Sequence, residues 1–400
     1  MDRSAIAQSP IGQLVPITAP DPQSGELVEA DAYLPDVLPK SITLSTDTWN
    51  TVNAATASLA RLDGAARLIP NPALLRRPAL RREAHSTSAL EGTYAPFEDV
   101  LAADVDDMAS LSGNLREILN FETMAELAFS WPEQWRITLG MLSELQNVLV
   151  ADTPGQMQDS GRLRDCVVVI GSRGTSIANA RYIPPPPGDQ LRVGVEEMLG
   201  WIAQPPDLPT VVQAAMAHYQ FESLHPFSDG NGRLGRLLII VQLLRGAIIR
   251  EPLLVVSPWF ENRRDRYQSG LFELSCTGDW DAWIAFFAER VVAAAEESRV
   301  KVERLVELQH ELVMRVRQAK KRGTVEHLAS ALVGMPYVSA PRVAADLSVT
   351  GQSGMNAIKA LVEIGILKPT GLRVGRRRGA EIYVANDVLS VIAPQGERTS

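Results

Sequence analysis

His225-Pro226-Phe227-Ser228-Asp229-Gly230-Asn231-Gly232-Arg233-Leu234-Gly235-Arg236 brings a histidine, a carboxylate, a glycine-rich turn and two guanidiniums into twelve consecutive residues. Glycines on both sides of Asn231 let successive backbone N–H groups converge, the geometry of an anion-binding nest. From Arg233 to Leu244 apolar residues recur with helical spacing, so the loop is expected to open onto a helix N-terminus. The partial positive charge there suits a phosphate. Asp229 offers the hard oxygen that Mg²⁺ prefers beside phosphates. Arg233 and Arg236, three apart, share a helix face and can fork phosphate oxygens. His225, just upstream, stands where it can take a proton from an incoming hydroxyl. A helix–turn–helix corner with a core histidine and surface arginines is the competing reading, and any one of these features alone would favour it.

Taken together, the residues meet the pattern HxFx[DE]GNGRxxR at all eight fixed positions. At roughly one in twenty per position, coincidence is negligible. The pattern is the signature of the Fic family, and the chain resembles a Fic protein. Fic proteins transfer AMP from ATP to a hydroxyl side chain of a target protein and release pyrophosphate. The resemblance implies that His225 is the general base and that Phe227 is buried under the loop. It implies Asp229 as the Mg²⁺ ligand, with Gly230, Asn231 and Gly232 lining the anion hole. Arg233 is then the contact to the β- or γ-phosphate and Arg236 the partner of the γ-phosphate. The kinase-like Doc branch carries a lysine in this loop, where the present chain reads Gly-Asn-Gly-Arg, so ATP-dependent adenylyl transfer is implied. The targets are other proteins or the chain itself. Tyr267 falls where Fic proteins often bring an aromatic ring to the adenine, and an ordinary core tyrosine fits that position equally well.

Two further stretches extend the resemblance. Thr87-Ser88-Ala89-Leu90-Glu91-Gly92 fits the family's inhibitory pattern [ST]xxxE[GN]. Thr87 and Glu91 share a helix face, and Gly92 is placed to end that helix. In the family this glutamate pairs with the second arginine of the signature, here Arg236, and keeps the γ-phosphate from seating productively. The implied protein is autoinhibited from its N-terminal side. In some relatives the same glutamate helps remove AMP again, which leaves the reverse reaction open. The other stretch runs from Arg164 to Pro187. Its β-branched run, its Gly171-Ser172-Arg173-Gly174 turn and its exit through four prolines predict a β-hairpin with a longer loop. In Fic proteins a hairpin here, the flap, adds the target backbone as a strand, and Val168, Val169 and Ile170 are the expected contact edge.

The remaining sequence bounds these expectations. A chain of 400 residues implies two or three domains. The divisions expected are an N-terminal region with the inhibitory helix over 1–107 and a catalytic domain over 108–295. A linker helix over 296–323 and a winged helix over 324–400 complete them. Hydrophobic residues at 46% and charged residues at 22% are ordinary for a globular protein. A net charge of −8 argues against a surface that binds nucleic acid throughout. Cys166 and Cys276, the two cysteines, show no zinc spacing, and the longest apolar run, Leu237 to Leu244, is too short for a bilayer. The expectation is a cytoplasmic protein with no membrane partner, and a homodimer is entertained beside a monomer. Residues 1–45, rich in Pro, Asp and Ser, read as an extended lead-in. From residue 108 helical periodicity dominates, predicting a mainly α fold: a Fic-type helical bundle with one hairpin flap.

Residues 324 to about 393 read as helix, short helix, second helix and two strands, a winged helix–turn–helix. The second helix, Ser353 to Ile364, presents Ser353, Asn356 and Lys359 outward, and the wing carries Arg373, Arg376, Arg377 and Arg378. These are the candidate DNA contacts. A winged helix used for protein contacts is an equal reading. The rival function is therefore a winged-helix DNA-binding regulator in which the Fic body senses nucleotide. The intact signature weighs against it, because sensing alone does not require His225, Asp229 and both arginines together.

Overall fold

The computed structural model describes residues 3–67, 71–103, 112–171, 175–373 and 379–393. Helix α1 (Arg3–Ile6) precedes strands β1 (Gly12–Pro20) and β2 (Leu27–Pro35). Then come α2 (Thr46–Ala66), α3 (Ala73–Leu90), α4 (Phe97–Ala102), α5 (Gly113–Ser130) and α6 (Leu139–Val150). Next are α7 (Asp189–Ala203), α8 (Thr210–Leu224), α9 (Asn231–Arg245), α10 (Ser257–Glu261), α11 (Arg264–Thr277) and α12 (Trp280–Gln318). The chain closes with α13 (Thr324–Ala331), β3 (Tyr337–Val338), α14 (Ala340–Asp346), α15 (Gly351–Glu363), β4 (Lys368–Arg373), β5 (Glu381–Val384) and α16 (Asn386–Ile392). The fold is mostly helical, as the periodicity predicts. Two compact units form, one from Met1–Leu59, Thr123–Ile249 and Val256–Ala293, the other from Ala60–Glu122, Arg250–Val255 and Ala294–Ser400.

In the first unit α8 and α9 make the core. Helix α9 is buried from Asn231 to Leu243 on every face, which is how a helix apolar all round must be accommodated. Each fully buried Leu or Ile there contributes about 1.5–3 kcal/mol. A Cβ at Gly235 would lie 2.5 Å from Glu222 Oε1 and 3.0 Å from Phe221 Cδ1, so the missing side chain permits the close approach to α8. His218 of α8 stacks among Phe260, Tyr267 and Trp283.

The N-terminal stretch is not an extended lead-in. Strands β1 and β2 pair antiparallel in register from Gly12↔Pro35 to Pro20↔Leu27. Pro16, Pro20 and the small buried residues Ala19, Ala30 and Ala32 hide the usual strand alternation, although Ile17 and Tyr33 of the same strands are buried too. The turn is set by Asp21, whose Oδ1 accepts from the Gln23 and Ser24 N–H groups at 2.9 and 3.1 Å.

The expected flap hairpin shrinks, among the described residues, to one bridge between Ile170 and Tyr182. The Ile170 N–H donates to the Tyr182 carbonyl at 2.9 Å and the Tyr182 N–H to the Ile170 carbonyl at 3.2 Å, while neighbouring groups turn to side chains. The Ile177 N–H donates to Asp21 Oδ2 at 2.7 Å, and the Cys166 carbonyl accepts from Arg164 at 3.0 Å. The Ile177 bond is also the main reason the Asp21 carboxyl sits below its ordinary range. Val167 and Val169 pack against the β1–β2 cluster of Ile17, Ala30, Ala32, Ile177 and Ile183.

Helix α6 begins at Leu139, where Thr138 Oγ1 caps it by accepting from the Met141 N–H at 3.2 Å. Helix α2 runs through Gly64, and α3 contains Pro78.

In the second unit α3 ends in a Schellman turn. Glu91 is the cap residue, Gly92 takes φ 91°, and the Thr93 and Gly92 N–H groups donate to Ser88 and Ala89 carbonyls at 2.9 and 3.0 Å. Arg81 is buried with Glu122 at 3.0 Å and donates to the Leu101 carbonyl at 2.8 Å. Residues 324–392 place α13, α14 and α15 beside a three-stranded antiparallel sheet of order β3-β5-β4. Among the described residues no helix is long and apolar enough to cross a membrane.

Candidate active site

The signature occupies the turn between α8 and α9. His225 caps α8 in the left-handed region, at φ 47° and ψ 62°, and is half-buried. That conformation costs a residue with a Cβ about 1–2 kcal/mol, so the surroundings must enforce it. Phe227 is fully buried beneath the loop. Ser228 Oγ donates to Asp159 Oδ2 at 2.5 Å, and Gln146 Nε2 donates to the Asp229 carbonyl at 3.2 Å.

Asn231 braces the turn. Its Oδ1 accepts from the Phe227 N–H at 2.9 Å, and its Nδ2 donates to the Phe227 carbonyl at 2.7 Å. The buried amide side chain is thus spent on the loop, and its contribution to an anion hole is its backbone N–H. Gly230 sits at φ 85° as the cap of α9, which starts at Asn231, two residues before the periodicity predicts. A Cβ there would lie 2.8 Å from Leu149 Cδ2 as well as being strained. The N–H groups of Asn231, Gly232 and Arg233 form the first turn of α9, the end that attracts anions.

Arg233 and Arg236 are both buried, and Arg233 Nη2 donates to Asp229 Oδ1 at 2.7 Å. The Asp229 side chain is 37% exposed, so this carboxylate is open to a ligand. Its Oδ2 lies where a Cβ on Gly155 would come within 2.6 Å, so the glycine leaves a cradle that the carboxylate fills. An accessible hard oxygen in a shaped recess fits Mg²⁺. Asp159, Asp165 and Cys166 also gather ligand atoms within 4.8 Å of one another. There Oδ2 of Asp159 already serves Ser228, and a thiol is a soft ligand that suits Mg²⁺ poorly.

Tyr267 stands in the core, not at an open pocket. It is 4% exposed, and its O–H lies 2.8 Å from His218 Nε2. His218 Nδ1 lies 3.2 Å from the Gly235 carbonyl, which can only accept, so Nδ1 carries the proton and Nε2 accepts from the tyrosine. Burial, aided by the nearby Arg236 charge, pulls His218 down to about 3, so the imidazole is neutral.

The other predicted residues divide by location. Val168, Val169 and Ile170 are half-buried on the shortened flap. Thr87 is buried within α3 of the second unit, and Glu91 and Gly92 are exposed at its end. Asn356 and Lys359 are exposed on α15, whereas Ser353 is half-buried with its Oγ 3.4 Å from Thr324 Oγ1. Arg376, Arg377 and Arg378 lie outside the described residues. Sequence reading missed Gly155, Asp159, Gln146, Arg164 and His218 as parts of this site. Their partners are distant in sequence, and no local spacing marks them.

Part of the chain is similar to known proteins. The chain is 34% identical over 119 residues to the protein adenylyltransferase Fic of Culex quinquefasciatus, covering 29% of this chain and 22% of that one. It is 33% identical over 207 residues to the protein adenylyltransferase Fic of Drosophila virilis, covering 51% of this chain and 38% of that one. The chain thus spans well under half the length of these curated relatives. The crystal structure of a Fic family protein from Desulfovibrio desulfuricans G20 shares the fold, with TM-score 0.55 and 19% identity over 86% of this chain and 97% of that one. Residues 49–130 match the Fic/DOC family N-terminal region and residues 136–243 the Fic/DOC family, so this chain carries a Fic domain preceded by the N-terminal region of that family.

Proposed function

We propose that this protein is an adenylyltransferase that moves AMP from ATP to a hydroxyl side chain of a target protein or of itself. The observation that carries the reading is the meeting of opposite helix ends in one braced turn. His225 stands at the carbonyl end of α8, and Asp229 and Arg233 stand at the N–H end of α9. In the reaction the target oxygen attacks the α-phosphorus of ATP, its proton passes to the His225 imidazole, and the bond to pyrophosphate breaks. The first turn of α9, with Arg233 and Arg236, stabilises charge on the phosphates. Mg²⁺, when bound by Asp229, neutralises phosphate charge. Glu91, the residue that caps α3, supplies autoinhibition. Residues 324–392 act as a winged helix that directs the enzyme to DNA or a protein, with exposed Asn356 and Lys359 on α15 as contacts.

The test is label incorporation from α-labelled ATP with Mg²⁺, comparing Glu91→Gly with the double variant Glu91→Gly, His225→Ala. Label that depends on His225 is the expected result, and a Glu91→Gly signal above that of the unmodified chain supports autoinhibition. Equal label with and without His225 overturns the proposed chemistry.

A further inference from the structure

Arg164 is among the largest fully buried side chains of the protein. Buried guanidiniums usually meet a carboxylate, but this one meets main chain. Its Nε donates to the His225 carbonyl at 2.8 Å, and its Nη2 donates to the Pro185 and Leu224 carbonyls at 2.5 and 3.5 Å. Its Nη1 donates to the Cys166 carbonyl at 3.0 Å, and its own N–H donates to the Pro226 carbonyl at 3.0 Å. Burial pulls the guanidinium down to about 10, which leaves it charged at neutral pH.

These acceptors have a reason to need a cation. Helix α8 ends at Leu224, so the Leu224 carbonyl lies in its last turn, where helical donors run out and partial negative charge collects; the His225 cap follows it. Pro185 lies in a run of four prolines, and that run has no N–H groups with which to build a ladder. A planar fork with five N–H donors serves both stretches at once, which a single ammonium cannot do.

We propose that Arg164 is the positioning residue for the histidine base, holding the His225 peptide in its left-handed conformation and fastening it to the foot of the flap at Pro185. The inference rests on the reading of His225 as the base of AMP transfer. The flap and the base are thereby kept in one register, so a hydroxyl presented by the flap meets the imidazole. Displacement of a reacting group by about 1 Å costs on the order of 100-fold in rate.

The experiment compares Arg164→Lys with the unmodified residue, both in the Glu91→Gly chain, by AMP incorporation, ATP binding and the spectrum of ¹⁵N-labelled histidine. The chain holds five histidines, and the His225 resonance is assigned by its loss in His225→Ala. Arg164→Lys is expected to lower kcat on the order of 10- to 100-fold, leave ATP affinity within twofold, and move the His225 resonance while His310 and His327 stay in place. An unmoved His225 resonance or an unchanged kcat overturns the proposal. So does a loss of ATP affinity in step with activity, which marks general damage to the fold. Should the Glu91→Gly chain incorporate no label at all, the AMP-transfer reading fails, and the histidine spectrum still decides whether Arg164 positions His225.

Discussion

Replacing Asn231 by aspartate tests the brace of the turn between α8 and α9 with almost no change of shape. The amide accepts from the Phe227 N–H at 2.9 Å and donates to the Phe227 carbonyl at 2.7 Å. A carboxylate keeps the first bond and turns the second into two oxygens facing each other inside the protein. The lost bond is worth about 1 kcal/mol, and leaving the Phe227 carbonyl without its donor adds about 1–3 kcal/mol. The anion also gains about 0.3–1 kcal/mol from the N-terminus of α9, where it would stand. The net deficit at neutral pH is therefore about 1–4 kcal/mol, centred on about 2.5 kcal/mol. Protonation repairs it, because a carboxyl O–H can donate to the Phe227 carbonyl. The folded-state pKa of the introduced group is thus raised above the unfolded value of about 3.9, by about two units for a deficit of that size.

A raised folded pKa contributes stability that is present below the unfolded value and lost as pH rises through the folded one. The gap between Asn231→Asp and the unmodified protein should then be small near pH 4 and fully open above about pH 6. At about 2–4 °C per kcal/mol, the opening amounts to roughly 5–10 °C in Tm. Thermal unfolding of both proteins across pH 4 to 7 measures it. Asn231→Ala, which lacks a titrating group, should be destabilised by a similar amount at every pH. A gap for Asn231→Asp that is constant across this range would refute the role assigned to the two bonds.

Gly155→Ala should push the Asp229 carboxylate aside, since the new Cβ lies 2.6 Å from Oδ2. An increase of about tenfold or more in the Mg²⁺ needed for half-maximal AMP transfer is expected from the loss of pre-organised ligand geometry, and an unchanged Mg²⁺ titration would remove Asp229 from the metal site. Tyr267→Phe takes the hydroxyl from His218 Nε2 and should cost about 1–3 kcal/mol of stability while the KM for ATP stays put. A several-fold rise in that KM would instead put the ring against the nucleotide. Neutralising Arg376, Arg377 and Arg378 together should flatten the plot of log K for DNA against log salt by up to about 2.7, at about 0.9 per phosphate contact. A slope that does not change assigns the wing to something other than DNA.

What could be read in the sequence was what is contiguous. The loop from His225 to Arg236 carries its chemistry in a single run, and its helix N-terminus follows from the apolar spacing after Arg233. The close of α3 was equally local, because Gly92 supplies the positive φ that a Schellman turn needs. Strands β1 and β2 were not legible, since prolines and alanines blur the alternation that marks a strand. The flap was legible only in part, since the expected hairpin is present as a single antiparallel bridge between Ile170 and Tyr182. Cys166 to Ile170 has strand composition, yet its neighbourhood gives backbone groups to Arg164 and Asp21, and composition does not record that competition. Gly155 and Arg164 escaped notice because each acts on a residue that only folding brings near, as the separation of 61 positions between Arg164 and His225 illustrates.

Several side chains around the turn hold main chain. Tyr182 donates to the Ser223 carbonyl, Arg164 to those of Leu224 and His225, Gln146 to that of Asp229, and His218 to that of Gly235. Asn231 holds Phe227 by both of its backbone groups. The turn is therefore fixed largely by side chains other than His225, Asp229 and Arg233. His225, Asp229 and Arg233 can then exchange partners during a reaction without carrying the loop with them. Stabilising a transition state by fixed dipoles works only if those dipoles need not reorganise as charge develops. The backbone of residues 223–235 is braced by Asn231 within the signature and by Tyr182, Arg164, Gln146 and His218 outside it, so the signature residues alone do not shape the turn.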